Sequence, residues 1–229
     1  MLHSTGNCVT LILHPNINSF SNKSIILDVD ETLVHTYDEM PTPEVLEHLK
    51  KLHNNRIYIF TADDLDGDGD STAICWGVFR PGVKRFLDFC FAYFQNVIFW
   101  SAGEDRYVKK LVEKLTANAP KPNLIFTRDK CESTLIGSDY VLTKPLEDII
   151  KKFPNNESLR IELLLALDDR HTTFEHNKDN GIPIPPYTPT IDNMDKYDNA
   201  LEKLEIWLLS PNVVQSKDVL KLNKSKIFQ

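Results

Sequence analysis

Short apolar runs that stop abruptly at carboxylates punctuate this chain. Residues 24–27 (SIIL) are uninterrupted until Asp28, the pattern of a strand covered on both faces of a parallel sheet. Residues 43–53 put Val45, Leu46, Leu49 and Leu52 at helical spacing behind Pro43, which predicts a helix. Residues 56–61 and 72–79 read as strands around an acidic, glycine-bearing stretch, hence a hairpin. Arg80-Pro81-Gly82 opens a helix running to Phe94, 96–100 is a strand, and 104–115 is a helix. Short strands follow at 124–126 and 140–142, then a helix at 145–152 with Pro145 first. Residues 163–167 are too short for a helix and end in Asp168-Asp169, so they read as a strand, and 196–209 reads as a helix. Residues 9–13 suit a first strand or a packed arm.

Strands alternating with helices predict an α/β domain with a mostly parallel sheet, and such sheets bind ligands beyond the carboxyl ends of their strands. The residues found there are Asp28, Asp30, Glu31 and Thr32 after the first run, Ser101 after the next, Lys144 after 140–142, and Asp168 and Asp169 after the last. If the sheet forms, these groups meet at one rim. Gathered acids repel one another, and a divalent cation removes the conflict. Mg2+ takes carboxylates, waters and substrate phosphate as ligands. A carboxylate beside it can act as nucleophile on phosphorus. Taken alone, Ser101 suits a helix N-cap, Lys144 a solvated lysine and Asp168-Asp169 a turn; only their company raises them.

Composition narrows the class. Of 229 residues, 41% are hydrophobic and 26% charged, which describes a globular chain, and the net charge of -7 argues against binding nucleic acid by bulk charge. No apolar run approaches the roughly 20 residues of a spanning helix, and the first twenty residues do not read as a signal peptide. The four cysteines are scattered, which suits a reducing interior rather than a disulfide or zinc framework. The acidic stretch from Asp64 to Asp70 imitates half of a calcium loop, but its twelfth position is Cys75, so a solvated turn is the better reading. The basic C-terminal residues Lys217, Lys221, Lys224 and Lys226 read as a frayed tail.

DVDET at Asp28–Thr32, followed by LVH, resembles the DxDxT signature of the haloacid dehalogenase superfamily, and DVDETLVH resembles its RNA polymerase II C-terminal-domain phosphatase-like (NLI-interacting-factor-like) branch. Arg80-Pro81-Gly82, Trp100-Ser101-Ala102, Arg128 with Cys131, Thr143-Lys144, Asp168-Asp169-Arg170 and Asn180-Gly181-Ile182 follow in family-like order. The resemblance implies a Rossmann-like haloacid dehalogenase fold with a small inserted β-hairpin (55–80) and no large cap. It divides the chain into an arm or edge strand (1–20), a phosphatase domain (21–210) and a tail (211–229). It also implies a Mg2+-dependent protein serine/threonine phosphatase working through an aspartyl-phosphate.

By the same resemblance Asp28 is nucleophile and metal ligand. Asp30 is general acid and base and binds metal through its carbonyl. Lys144 neutralises charge, Asp168 and Asp169 serve the metal, Thr32 and Ser101 are phosphate-site and loop-supporting hydroxyls, and Arg128 lies near the substrate. The implied partner is a phosphoprotein or phosphopeptide, the RNA polymerase II tail among them, with no direct nucleic acid and no membrane. The implied location is intracellular, cytoplasmic or nuclear. The chain departs from the family in Pro145 after the lysine and in Trp-Ser-Ala-Gly at 100–103, a combination similar to versions encoded by large DNA viruses. Two other readings stand beside the enzyme: a non-catalytic binding scaffold of the same fold, and a small-molecule phosphatase.

Overall fold

A computed structural model describes residues 19–53, 55–63, 72–194 and 196–229. The expected arm at 9–13 and the acidic stretch 64–70 lie outside the described residues. The central sheet contains β1 (Ser24–Leu27), β5 (Asn96–Trp100), β6 (Leu124–Phe126), β9 (Leu164–Asp168) and β10 (Gly181–Pro183). Their order is β10-β9-β1-β5-β6, and every pairing is parallel. β1 therefore sits mid-sheet, with later strands added first on one side and then on the other. The crevice at such a reversal is where open α/β sheets hold ligands.

Both faces of this sheet are covered, as the unbroken apolar runs require. Ile25 and Leu27 point into the larger core with α2 (Val83–Tyr93), α3 (Asp105–Leu115) and α5 (Ala200–Leu208). Ile26 points the other way, into a smaller core with Ile149 of α4 (Glu147–Lys152) and Phe174. This is the period-2 alternation of a strand. The helices begin where local chemistry starts them. Thr42 Oγ1 accepts the Val45 N–H above α1 (Pro43–Leu52), Gly82 caps α2 at φ 78°, and Glu104 accepts the Arg106 N–H above α3.

The structure corrects several sequence expectations. Between β1 and α2 lies a three-stranded antiparallel sheet, not a two-stranded hairpin: β2 (Val34–Tyr37) pairs with β4 (Thr72–Phe79), which pairs with β3 (Ile57–Asp63). Val34 and His35 of the LVH that follows the motif thus also open an edge strand. Residues 140–142 do not join the central sheet. They lie in β8 (Asp139–Thr143), whose antiparallel partner is β7 (Glu132–Ile136). The helix expected over 196–209 starts at Ala200, because Asp198 is engaged by Arg80 and by the Ala200 N–H. The C-terminal segment is packed rather than frayed. Val213 on α6 (Pro211–Val214), Val219 and Ile227 are buried in the larger core, and Lys224 Nζ donates to the carbonyls of Asp179 and Val219. Four basic side chains in that tail hid an apolar spacing that only packing reveals.

Candidate active site

Three adjacent strands deliver the site. Asp28 follows β1, Ser101 follows β5, and Asp168 closes β9. Lys144 arrives from outside the sheet, at the end of β8. Its backbone N–H bonds Thr173 O, and its ammonium reaches Asp28 Oδ1 and Asp168 Oδ2 at 2.6 Å each. All three side chains are buried. Asp168 Oδ1 accepts the Arg170 N–H and the Thr173 hydroxyl, which holds this carboxylate in one orientation.

Thr32 takes the loop-supporting part of its expected role. It is fully buried and does not line the cavity; its hydroxyl accepts the Asp169 N–H at 3.1 Å and its carbonyl accepts Arg80 Nη1 at 3.0 Å. It ties the loop after β1 to the loop after β9. Arg80 anchors the same loop from behind. It is buried and also binds Asp198 through two nitrogens and the carbonyl of Pro185. Between Asp30 and Thr32 the chain turns through Glu31 at φ 56°, a left-handed conformation that a non-glycine residue adopts only at a cost.

Ser101 is buried and lines the cavity. It is not the cap of α3, a role Glu104 fills. Its hydroxyl accepts the Gly103 N–H and lies 3.3 Å from Asp30 Oδ2. Arg128 also lines the cavity, with Nε on the Ala102 carbonyl. The sequence reading missed three participants. Arg170 and Thr173 line the cavity next to Asp168, and Tyr107 donates to Asp30 Oδ1 at 2.5 Å. The order Asp168-Asp169-Arg170 already hinted at Arg170. Nothing in the helical pattern of α3 marks Tyr107, whose ring packs against Phe60 of the inserted sheet.

The cavity has a volume of about 260 Å³. Five carboxylates (Asp28, Asp30, Glu31, Asp168, Asp169) face three cations (Arg128, Lys144, Arg170) around it. Fully ionised, that set lacks two positive charges. Asp28, Asp168 and Asp169 offer carboxylate oxygens within 4.8 Å of one another. A hard donor set of this kind fits Mg2+, with waters completing the shell. Asp30 is outside this group, and its two oxygens face Tyr107 and Ser101 instead.

The electrostatics follow from burial. Burial pushes the Asp28 carboxyl up to about 8, against the pull of the Lys144 ammonium and with a further upward push from Asp168. Burial opposes the charge on Lys144, but the two carboxylates outweigh it and hold the amine above the usual lysine range. Burial also raises Asp30, with the Tyr107 hydrogen bond resisting. Asp169 is raised to about 6 by burial and by its neighbour Asp168. A dication on these carboxylates would pull them back down.

The match of a family profile places the chain among phosphatases. The chain belongs to the NLI interacting factor-like phosphatase family, whose profile matches residues 23–220. It resembles the fission yeast RNA polymerase II CTD phosphatase Fcp1-R271A bound to beryllium fluoride, with a TM-score of 0.52 and 19% identity over 81% of this chain and 49% of that one. A second structure, of Fcp1 as an essential RNA polymerase II CTD phosphatase, gives a TM-score of 0.52 and 19% identity over 88% of this chain and 58% of that one. This chain therefore spans about half the length of both. No curated protein matches it. No helix among the described residues is long and apolar enough to cross a membrane.

Proposed function

We propose that this chain is a Mg2+-dependent protein phosphatase that removes phosphate from serine or threonine through an aspartyl-phosphate on Asp28. The observation that carries the reading is Lys144 bridging Asp28 and Asp168 while Asp30 faces the same cavity. Asp28, Asp168 and Asp169 would hold the ion, with the Asp30 carbonyl as a further ligand. When bound, Mg2+ supplies positive charge to the phosphate oxygens.

An Asp28 oxygen forms a bond to phosphorus, and the bond from phosphorus to the serine or threonine oxygen breaks. The departing oxygen keeps the electron pair and takes a proton from Asp30. Asp30 then receives a proton from water as that water attacks phosphorus, which returns Asp28 and releases phosphate. Lys144 neutralises Asp28 and the incoming phosphate, and Arg128 lies at the mouth for substrate. Among the described residues no bulky domain covers the rim, which suits a phosphoprotein or phosphopeptide reacting at the surface. The RNA polymerase II tail is one such substrate, in the cytoplasm or nucleus, with neither nucleic acid nor membrane contacted directly.

Hydrolysis of p-nitrophenyl phosphate that requires Mg2+ and is abolished in Asp28→Asn is the expected result. A phosphopeptide panel including polymerase-tail heptads then separates a protein substrate from a small metabolite. Wild-type protein inert with both Mg2+ and Mn2+, yet able to bind a phosphopeptide, would instead establish a scaffold.

A further inference from the structure

Asp30 stands at the end of a single file of hydroxyl groups. Tyr107 Oη is 2.5 Å from Asp30 Oδ1 and 2.6 Å from Thr36 Oγ1, and Thr36 Oγ1 is 2.6 Å from Tyr58 Oη. Tyr107 stands on α3, while Thr36 and Tyr58 stand on β2 and β3 of the inserted sheet. Each hydroxyl owns one proton, which decides the direction of the file. An ionised carboxylate only accepts, so Tyr107 donates to Asp30. Its proton is then in use, so Thr36 donates to Tyr107 and Tyr58 donates to Thr36. Burial pushes both phenols well above their ordinary range, so both remain protonated.

The other carboxylate oxygen is held loosely. Asp30 Oδ2 has Ser101 Oγ at 3.3 Å, which is long for a hydroxyl bond, and that Oγ also accepts the Gly103 N–H. The inserted sheet makes room for the file with a glycine. A Cβ on Gly77 would collide with the Tyr58 hydroxyl and the His35 carbonyl.

We infer that Tyr107 is a positioning residue for Asp30: by occupying Oδ1 it fixes the carboxyl group and leaves Oδ2 to carry the proton for the leaving oxygen. The inference rests on the phosphatase reading above. In the first step the bond between phosphorus and the leaving oxygen breaks as the bond to Asp28 forms. The electron pair stays on the leaving oxygen, and the proton on Asp30 Oδ2 joins it. Thr36 and Tyr58 keep Tyr107 pointed at Oδ1, so the inserted sheet reaches the acid–base group without touching substrate.

The test compares wild type, Tyr107→Phe and Thr36→Val on a series of aryl phosphates whose leaving phenols become steadily more basic. kcat/KM for such a series reports the step in which the leaving oxygen departs. Tyr107→Phe keeps the ring against Phe60, and a wild-type-like thermal melt verifies its fold. The expected loss is small for p-nitrophenyl phosphate and grows to about tenfold or more for phenyl phosphate, because only poor leaving groups need the proton. Thr36→Val should show the same gradient, more shallowly. An equal loss at every leaving group, or no loss at all, overturns the inference while leaving the phosphatase reading intact. A wild type that hydrolyses none of the series removes that reading and the inference with it.

Discussion

Asp28 and Lys144, 116 positions apart in the chain, meet at 2.6 Å in a buried ion pair. The pair extends to Asp168, so one ammonium serves two carboxylates. Removing one partner of a buried pair is far worse than never having had it, because the remaining charges lose their compensation. Lys144→Met is accordingly expected to abolish turnover and to destabilise the metal-free protein by about 3–5 kcal/mol. Urea unfolding in the presence of chelator checks the second effect; unchanged stability would mean that the two acids do not depend on the amine.

Proton linkage gives a second expectation. The folded-state pKa of Asp28 is about 8, against an ordinary 3.8, so the folded protein binds this proton more tightly than the unfolded chain. Its contribution to stability is therefore fully present below about pH 3.8 and lost as the pH rises toward about 8. Asp169, raised to about 6, acts in the same direction over a lower window. In chelator, Asp28→Asn should gain stability over wild type as the pH increases through this range, and Mg2+ should restore the wild type. Melting temperatures that run parallel for the two proteins at every pH would refute the shift.

Beryllofluoride occupies the place of a phosphoryl group on an aspartate. It should raise the melting temperature only when Mg2+ is present, and not at all in Asp28→Ala. Stabilisation grows with ligand concentration, reaching about 2.7 kcal/mol at a hundredfold excess over Kd. An equal shift in wild type and Asp28→Ala would assign the bound group to another residue.

Arg80 offers a test remote from the chemistry. Its buried guanidinium binds the Thr32 carbonyl, the Pro185 carbonyl and both oxygens of Asp198. Planar, forked pairing of this kind is not reproduced by an ammonium. Arg80→Lys is expected to cost stability and to loosen the loop that carries Asp28 and Asp30, with Asp198→Asn a milder version. Calorimetry on the two variants checks the order; a neutral Arg80→Lys would show that the loop holds itself.

Much of the site was legible before any coordinates. Apolar runs ending in acids located β1 and β9 to within a residue, because a strand covered on both faces has little room for polar side chains except at its ends. The route of Lys144 was not legible. Residues 140–142 look like one more sheet strand, but Tyr140 pairs with Leu135, Val141 with Thr134 and Leu142 with Ser133 in a separate hairpin, and short strands carry no label for their partner. The motif gives Thr32 both a phosphate-site and a loop-supporting role, and only packing shows its hydroxyl on the Asp169 N–H, because a motif position does not say which way a hydroxyl turns.

What the chain alone determined is therefore the set of elements and the chemical identity of the groups at their ends, since both depend on local spacing and residue type. Tertiary structure decided which ends adjoin, that Asp28 and Asp168 share one amine, and that Tyr107 reaches Asp30 from another element. Those relationships depend on long-range pairing, and burial then sets the charges: the same carboxyl that would ionise freely in water is held, in this rim, against its neighbours.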